Sequence, residues 1–121
     1  MKIYKTLFII GCLVLAGCYY DKEELLYPSG NCDTSNSTFS GVVQTCLQTY
    51  GCLGCHSGAA PSGNVLLNTY TVVKTYVQNG KLYGAITHST GYTPMPQGGN
   101  KMNTCDINKI KAWIDAGALN N

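Results

Sequence analysis

Apolar positions recur at helical spacing in a long segment that begins at Phe39. They fall at i, i+3, i+4, i+7, i+8 and i+11 and are Phe39, Val42, Val43, Cys46, Leu47 and Tyr50. This spacing places them on one face of an α-helix. Ser37 or Thr38 can cap the start of the helix, and Gly51 can end it. Cys46 belongs to the apolar face and is therefore expected to be a small buried residue.

A second helical pattern closes the chain. Asn103 is a candidate N-cap, and Asp106 would lie in the first turn, where a negative charge is favourable. Gly117 can terminate the helix. The apolar face of this helix consists of Ile107, Ile110 and Ile114, with Trp113 beside it.

The middle of the chain is less uniform. Within 66–77, Thr, Val and Tyr favour a strand, whereas Leu66, Tyr70, Val73 and Val77 keep helical spacing. We favour a helix, and the following Asn79 and Gly80 can form either a hairpin turn or a helix end. A short helix over 81–87 and a loop over 88–101, rich in Gly, Pro and Thr, complete the pattern.

The N-terminus has the features of a targeting segment. Lys2 and Lys5 precede an apolar run over 7–15 that is too short to span a membrane. The sequence LVLAGC resembles the lipobox of bacterial lipoproteins, in which cleavage before the cysteine is followed by lipidation of its thiol. We expect residues 1–17 to be removed and Cys18 to be lipidated. An ordinary signal peptide that leaves Cys18 as a free thiol is the alternative.

This interpretation defines three regions: the signal peptide at 1–17, a lipidated tether at 18–38, and one domain at 39–121. The mature protein would lie in the bacterial cell envelope, lipid-anchored on the periplasmic or the outer-membrane, cell-surface side. Removal of two lysines leaves six, equal to the six acidic residues, and the chain contains no arginine. Nucleic acid is therefore not an expected partner.

The sequence CLGCH places Cys52, Cys55 and His56 at i, i+3 and i+4, on one side of a helical turn. Two thiols one turn apart can form thioethers with the two vinyl groups of a haem. The adjacent imidazole is a suitable axial iron ligand. We therefore predict one covalently attached haem c, held by Cys52 and Cys55, with His56 as the proximal ligand.

Two other interpretations use the same cysteines. A thioredoxin-like thiol couple would require a strand before the motif, within a βαβ pattern that the sequence does not show. A structural zinc site would require further ligands, and Cys105 with His88 supplies no convincing second pair. We favour haem over both.

The distal ligand has three candidates: Met95, Met102 and His88. We favour Met95, because Pro94 and Pro96 stiffen the loop around it. Met102 precedes the last helix and is more simply a core residue. His88 is more simply a loop residue, and an open distal position is a further alternative.

With these residues in place, the chain resembles class I c-type cytochromes, and more closely their small single-haem bacterial lipoproteins. The resemblance covers about 31–120 and includes the CxxCH motif, Met95 with Pro96, and the closing AWIDAGA. It implies an all-α fold wrapped around haem, with the first and last helices packed together and Trp113 in the core near the haem. Arginine, often found near haem propionates in this class, is absent, so backbone groups, tyrosines such as Tyr83 or Tyr92, or a lysine would take that role.

Three cysteines remain after these assignments. We hypothesise a disulfide between Cys32 and Cys105 that pins the tether to the domain, in the oxidising compartment that export implies. The cysteines Cys32, Cys46 and Cys105 allow three pairings, and the sequence does not choose among them.

The expected function depends on whether both axial positions of the iron are occupied. If His56 and Met95 both bind, no coordination position is left for a substrate, so the protein is expected to be an electron carrier and not an enzyme. It would pass single electrons to or from a redox partner protein at the membrane. The alternatives are a haem protein with an open distal site, such as a peroxidase or gas sensor, and a structural domain of a surface assembly.

Overall fold

The computed structural model describes residues 32–121. The signal peptide expected at 1–17, the lipidation expected at Cys18 and most of the tether lie outside the described residues. Over 32–121 the regular elements are all helices, which confirms the all-α class. No helix in this part of the chain has the length and apolar character that a membrane crossing requires.

The first helix, α1, consists of a π-helical turn, Phe39–Val43, that continues as an α-helix over Gln44–Thr49. Thr38 caps it, since its hydroxyl oxygen accepts a hydrogen bond from the Gly41 amide at 3.0 Å. Gly51, at φ 68°, adopts the left-handed conformation that ends the helix. The predicted start and end of this helix are both confirmed.

Three α-helices follow, α2 over Cys52–Cys55, α3 over Tyr70–Gln78 and α4 over Lys81–Ile86, and a 3-10 turn over Ser62–Asn64 lies between α2 and α3. The ambiguous segment 66–77 is thus helical from Tyr70 on. Its first residues are not, because the Leu67 amide donates to the His56 carbonyl at 2.7 Å and keeps the chain extended there. Gly80, at φ 74°, separates α3 from α4.

The last helix, α5, spans Thr104–Asp115. The Asn103 side chain accepts a hydrogen bond from the Asp106 amide at 2.8 Å and so caps the helix as predicted. Gly117, at φ 97°, follows its end.

Helices α1 and α5 meet in the core, as the resemblance implied. The Phe39 ring centroid lies 5.8 Å from that of Trp113 and 5.2 Å from that of Tyr70. Trp113 is fully buried, and its indole N–H donates to the Leu119 carbonyl at 2.9 Å. The Phe39 amide donates to the Asn121 side chain at 2.9 Å, so the C-terminus lies against the start of α1.

A disulfide joins Cys32 to Cys105, with 5.5 Å between their Cα atoms. This is the pair hypothesised from the sequence. It connects the segment before α1 to the first turn of α5 across 73 positions of sequence. A disulfide typically stabilises a fold by about 2–4 kcal/mol, and more when the loop it closes is long. Cys46 is a free thiol and is buried in the core, as its position on the apolar face predicted.

Candidate cofactor-binding site

A cavity of about 650 Å³ lies among α1, α2, α4, α5 and the loop between α4 and α5. Four of the predicted ligands of the cofactor line it: Cys52, Cys55, His56 and Met95. Much of the remaining wall is aliphatic and includes Val43, Leu47, Leu67, Leu82, Ile86 and Ile110. A cofactor pocket usually has a volume of about 300–1,000 Å³ and an apolar wall with a few polar groups. The cavity therefore suits a large apolar cofactor.

Helix α2 brings the CxxCH motif to this cavity. The left-handed conformation of Gly51 turns the chain directly from α1 into the single turn Cys52–Cys55. The His56 amide donates to the Cys52 carbonyl at 2.9 Å, so the histidine closes that turn. Both thiols and the imidazole are thus supplied by one five-residue segment at the cavity wall.

The two thiols of this segment differ in environment. Cys52 is half-buried and Cys55 is exposed. Burial raises the pKa of the Cys52 thiol above its ordinary value. Burial also raises the pKa of the nearby Cys46 thiol, to about 11, so Cys46 is a poor nucleophile at neutral pH.

The His56 ring is oriented by the segment that follows it. Its Nδ1 lies 3.2 Å from the Val65 carbonyl oxygen. A carbonyl oxygen only accepts hydrogen bonds, so this contact favours the tautomer with the proton on Nδ1. Nε2 then keeps its lone pair, as an iron ligand must. The bond from the Leu67 amide to the His56 carbonyl fixes the backbone of the same residue.

Met95 reaches the cavity from the loop between α4 and α5. The side chain is half-buried, and the Met95 amide donates to the Ala85 carbonyl of α4 at 3.0 Å. Met102 also lines the cavity but belongs to the core, with 3% of its surface exposed. His88 does not line the cavity, and its Nε2 lies 3.0 Å from the Met95 carbonyl oxygen. Both methionines therefore border the cavity, whereas His88 does not.

The zinc set weighed in the sequence analysis is not assembled. Cys105 is bonded to Cys32, and His88 contacts the Met95 carbonyl away from the thiols. Within residues 32–121, no three His, Cys, Asp or Glu side chains are grouped as metal ligands. The thiol-couple interpretation also lacks its context, because the motif follows helix α1 and not a strand.

Trp113 lies in the core, but it is not part of the cavity wall. Its ring packs against Phe39, whereas Ile110, one turn earlier on α5, lines the cavity. Trp113 is thus buried in the core, as the resemblance implied, but its ring is not part of the cavity wall. The physical reason is that the tryptophan joins α5 to α1 and to the C-terminal segment.

Lys81 is the one Lys, Asp or Glu among the described residues that line the cavity. The sequence left the propionate partners open among backbone groups, tyrosines and lysines. Of the two tyrosines named there, Tyr92 lines the cavity and Tyr83 does not. Tyr83 instead lies near Lys111, whose Nζ is 5.9 Å from the ring centroid. The composition gave no means of choosing Lys81 from the other lysines.

Tyr92 packs directly on α4. A Cβ atom placed on Gly84 would lie 2.5 Å from Tyr92 Cγ, and one on Gly80 would lie 3.2 Å from its hydroxyl. A glycine inside a short helix is unfavourable by itself, so Gly84 has a steric reason to be there. This contact holds the loop that carries Met95 against α4. The sequence did not predict it. The glycine at position 84, inside a predicted helix, was the signal that could have indicated a close contact there.

Comparison with protein families, curated proteins and solved structures finds no significant match to this chain. The functional conclusion therefore depends on the cavity and on the residues that line it.

Replacing Gly84 with Ala should displace the Tyr92 ring and destabilise the protein by about 1–3 kcal/mol, the usual cost of overpacking. Gly54 is the matched control, because a Cβ there meets no atom within 4 Å and its backbone is helical. Gly54→Ala should be neutral or stabilise by about 0.5–1 kcal/mol. Denaturant unfolding of both variants measures this difference. If Gly84→Ala and Gly54→Ala had the same free energy of unfolding, the packing of Tyr92 on α4 would not require a glycine at position 84.

Proposed function

We propose that this protein is a mono-haem c-type cytochrome lipoprotein that transfers single electrons to or from a redox partner at the membrane. The observation that carries the proposal is that one cavity is lined by Cys52, Cys55, His56 and Met95. These residues are separated by up to 43 positions in sequence, yet they border the same space. Two thiols that can attach the porphyrin, with an imidazole and a thioether that can bind the iron, are the groups that such a centre requires.

Each residue has a defined role in this proposal. Cys52 and Cys55 would hold the cofactor, since the S–H of each thiol can add across one vinyl group. His56 presents the lone pair of Nε2, because the Val65 carbonyl favours the proton on Nδ1. A bound haem supplies a one-electron Fe(III)/Fe(II) couple.

Met95 determines whether the iron would keep an open coordination site. Bound to the iron, the Met95 thioether would leave no coordination site for a substrate, so the protein would trade electrons and would not turn over a substrate. Methionine ligation and a largely apolar wall both favour a raised reduction potential. This combination favours an electron carrier over an enzyme.

Lys81 is proposed to pair with a haem carboxylate. It is exposed and lines the cavity, and no acidic residue lines the described part of the wall with it. A carboxylate at the mouth of the cavity would therefore find one cation and the Tyr92 hydroxyl as partners.

The cellular setting is proposed on two grounds. The LVLAGC sequence favours a lipid on Cys18, which would tether the domain to the membrane in the periplasm or at the cell surface. The Cys32–Cys105 disulfide suits an oxidising compartment of this kind. The partner would be a redox protein that approaches the mouth of the cavity, where Cys55 is exposed.

Met95→Ala should abolish the weak long-wavelength absorption band of a sulfur–Fe(III) bond and make the reduced protein bind carbon monoxide readily. Met102→Leu is the matched control, since it keeps the core volume and leaves Met95 in place. It should retain the band and resist carbon monoxide. A wild-type protein that binds carbon monoxide readily would indicate an open haem, as in a peroxidase or gas sensor. Loss of the band in Met102→Leu alone would assign the distal ligand to Met102.

Lys81→Ala should lower the midpoint potential by some tens of millivolts, because removing a positive charge near the centre destabilises the more electron-rich reduced state. Lys101→Ala is the control, since Lys101 is exposed and does not line the cavity. Potentiometric titration of both variants measures the effect. If the two substitutions shift the potential equally, Lys81 has no particular relation to the cofactor.

A further inference from the structure

His88 has an unusual conformation for an exposed residue. Its backbone is left-handed, at φ 56°, which a residue with a Cβ adopts only at some cost. It lies two positions after the end of α4, and its Nε2 is 3.0 Å from the Met95 carbonyl oxygen. The left-handed turn thus brings the ring back towards a residue seven positions later in the chain.

The backbone of Met95 is held on both of its polar groups. Its amide donates to the Ala85 carbonyl of α4 at 3.0 Å, and its carbonyl contacts the His88 ring. The flanking Pro94 and Pro96 have no amide hydrogen to add to this attachment. Without the His88 ring, one of the two hydrogen bonds that fix Met95 would be lost.

The base of the loop is itself fixed to α4, so the ring has a rigid support. The Ser89 amide donates to the Gly84 carbonyl at 2.9 Å, and the His88 amide donates to the Ala85 carbonyl at 3.2 Å. Ala85 therefore accepts from both His88 and Met95. The two ends of the loop 88–95 converge on one carbonyl of the helix, and the imidazole bridges them.

The direction of the bridge is set by the acceptor. A carbonyl oxygen only accepts, so Nε2 of His88 carries a proton and donates. The neutral Nε2–H tautomer and the imidazolium both have this proton. The contact therefore does not require one particular charge on the ring.

We propose that His88 is a positioning residue for the distal ligand: its ring clamps the Met95 carbonyl and biases the loop towards the arrangement in which the Met95 sulfur reaches the iron. This inference rests on the proposed function. His88 does not line the cavity, so it would act through Met95. Losing one hydrogen bond of ordinary net strength should raise the population of the state with Met95 released by roughly fivefold.

Two variants of similar chemistry and different reach test this role. His88→Gln places an amide N–H as many bonds from Cβ as the imidazole Nε2, whereas the amide of His88→Asn is one bond shorter. Asn also tolerates the left-handed backbone, so its effect is not strain. We expect the apparent carbon monoxide affinity of the reduced protein to rise roughly fivefold in His88→Asn and to stay near the wild-type value in His88→Gln. The sulfur–iron band should weaken in the same order.

The control variant is Thr90→Ala, an exposed position in the same loop whose side chain makes no hydrogen bond within the described residues. It should leave both readouts unchanged. In a Met95→Ala background, His88→Asn should have no further effect on carbon monoxide affinity, because there is no ligand left to position. A further rise in that background would overturn the role of His88.

The outcomes separate the two proposals. A wild-type protein with the sulfur–iron band, and a His88→Asn variant with unchanged band and carbon monoxide affinity, would overturn the positioning role and leave the cytochrome proposal standing. If His88→Gln and His88→Asn weakened the sulfur–iron band and raised the carbon monoxide affinity equally, the positioning role would also be overturned, because the length of the side chain would then make no difference. A wild-type protein without the band would contradict distal ligation by Met95 and the role of His88 together.

Discussion

The hydrogen bond between His56 Nδ1 and the Val65 carbonyl, at 3.2 Å, is the interaction on which the proposed centre depends. It favours Nε2 as the ring nitrogen that keeps its lone pair, and so determines which nitrogen is available to a metal. The second bond, from the Leu67 amide to the His56 carbonyl, holds the backbone in the same place. Together they turn a four-residue helix, which has little stability of its own, into a fixed wall of the cavity.

The same arrangement links cofactor binding to the stability of the fold. Val43, Leu47, Leu82 and Ile110 belong both to the core and to the cavity wall. A covalently attached apolar group between them would extend the core that α1 and α5 form around Phe39 and Trp113. Small domains commonly need such a staple, and the Cys32–Cys105 disulfide supplies another at the edge of α5. Binding of the cofactor and folding should therefore reinforce each other.

The helices that the sequence predicted correctly are those defined by local signals. Helices α1 and α5 are marked by apolar spacing and by the caps Thr38 and Asn103, and the structure contains both. The start of α3 was predicted four residues too early, because a long-range bond between Leu67 and His56 overrides the local spacing. The spacing of apolar residues within 66–77 cannot predict such a contact with another segment.

In the candidate site, too, local features could be predicted from the sequence and contacts between distant segments could not. The CxxCH motif is contiguous, so its presentation on one helical turn could be predicted. The place of Lys81 at the cavity, the close approach of Tyr92 to Gly84 and the bond from His88 to Met95 arise only once the loop 88–101 has folded back on α4. His88 was weighed as a ligand, and the structure instead gives its ring a contact with the backbone of the favoured ligand.

The most direct test is the mass of the purified protein after denaturation, following production in a host that matures c-type cytochromes. We expect a polypeptide that carries one haem, and the same in Cys46→Ala, the third cysteine of the cavity wall. The double variant Cys52→Ser, Cys55→Ser should have the mass of the polypeptide alone. A wild-type protein that is colourless and has that bare mass would contradict the central claim.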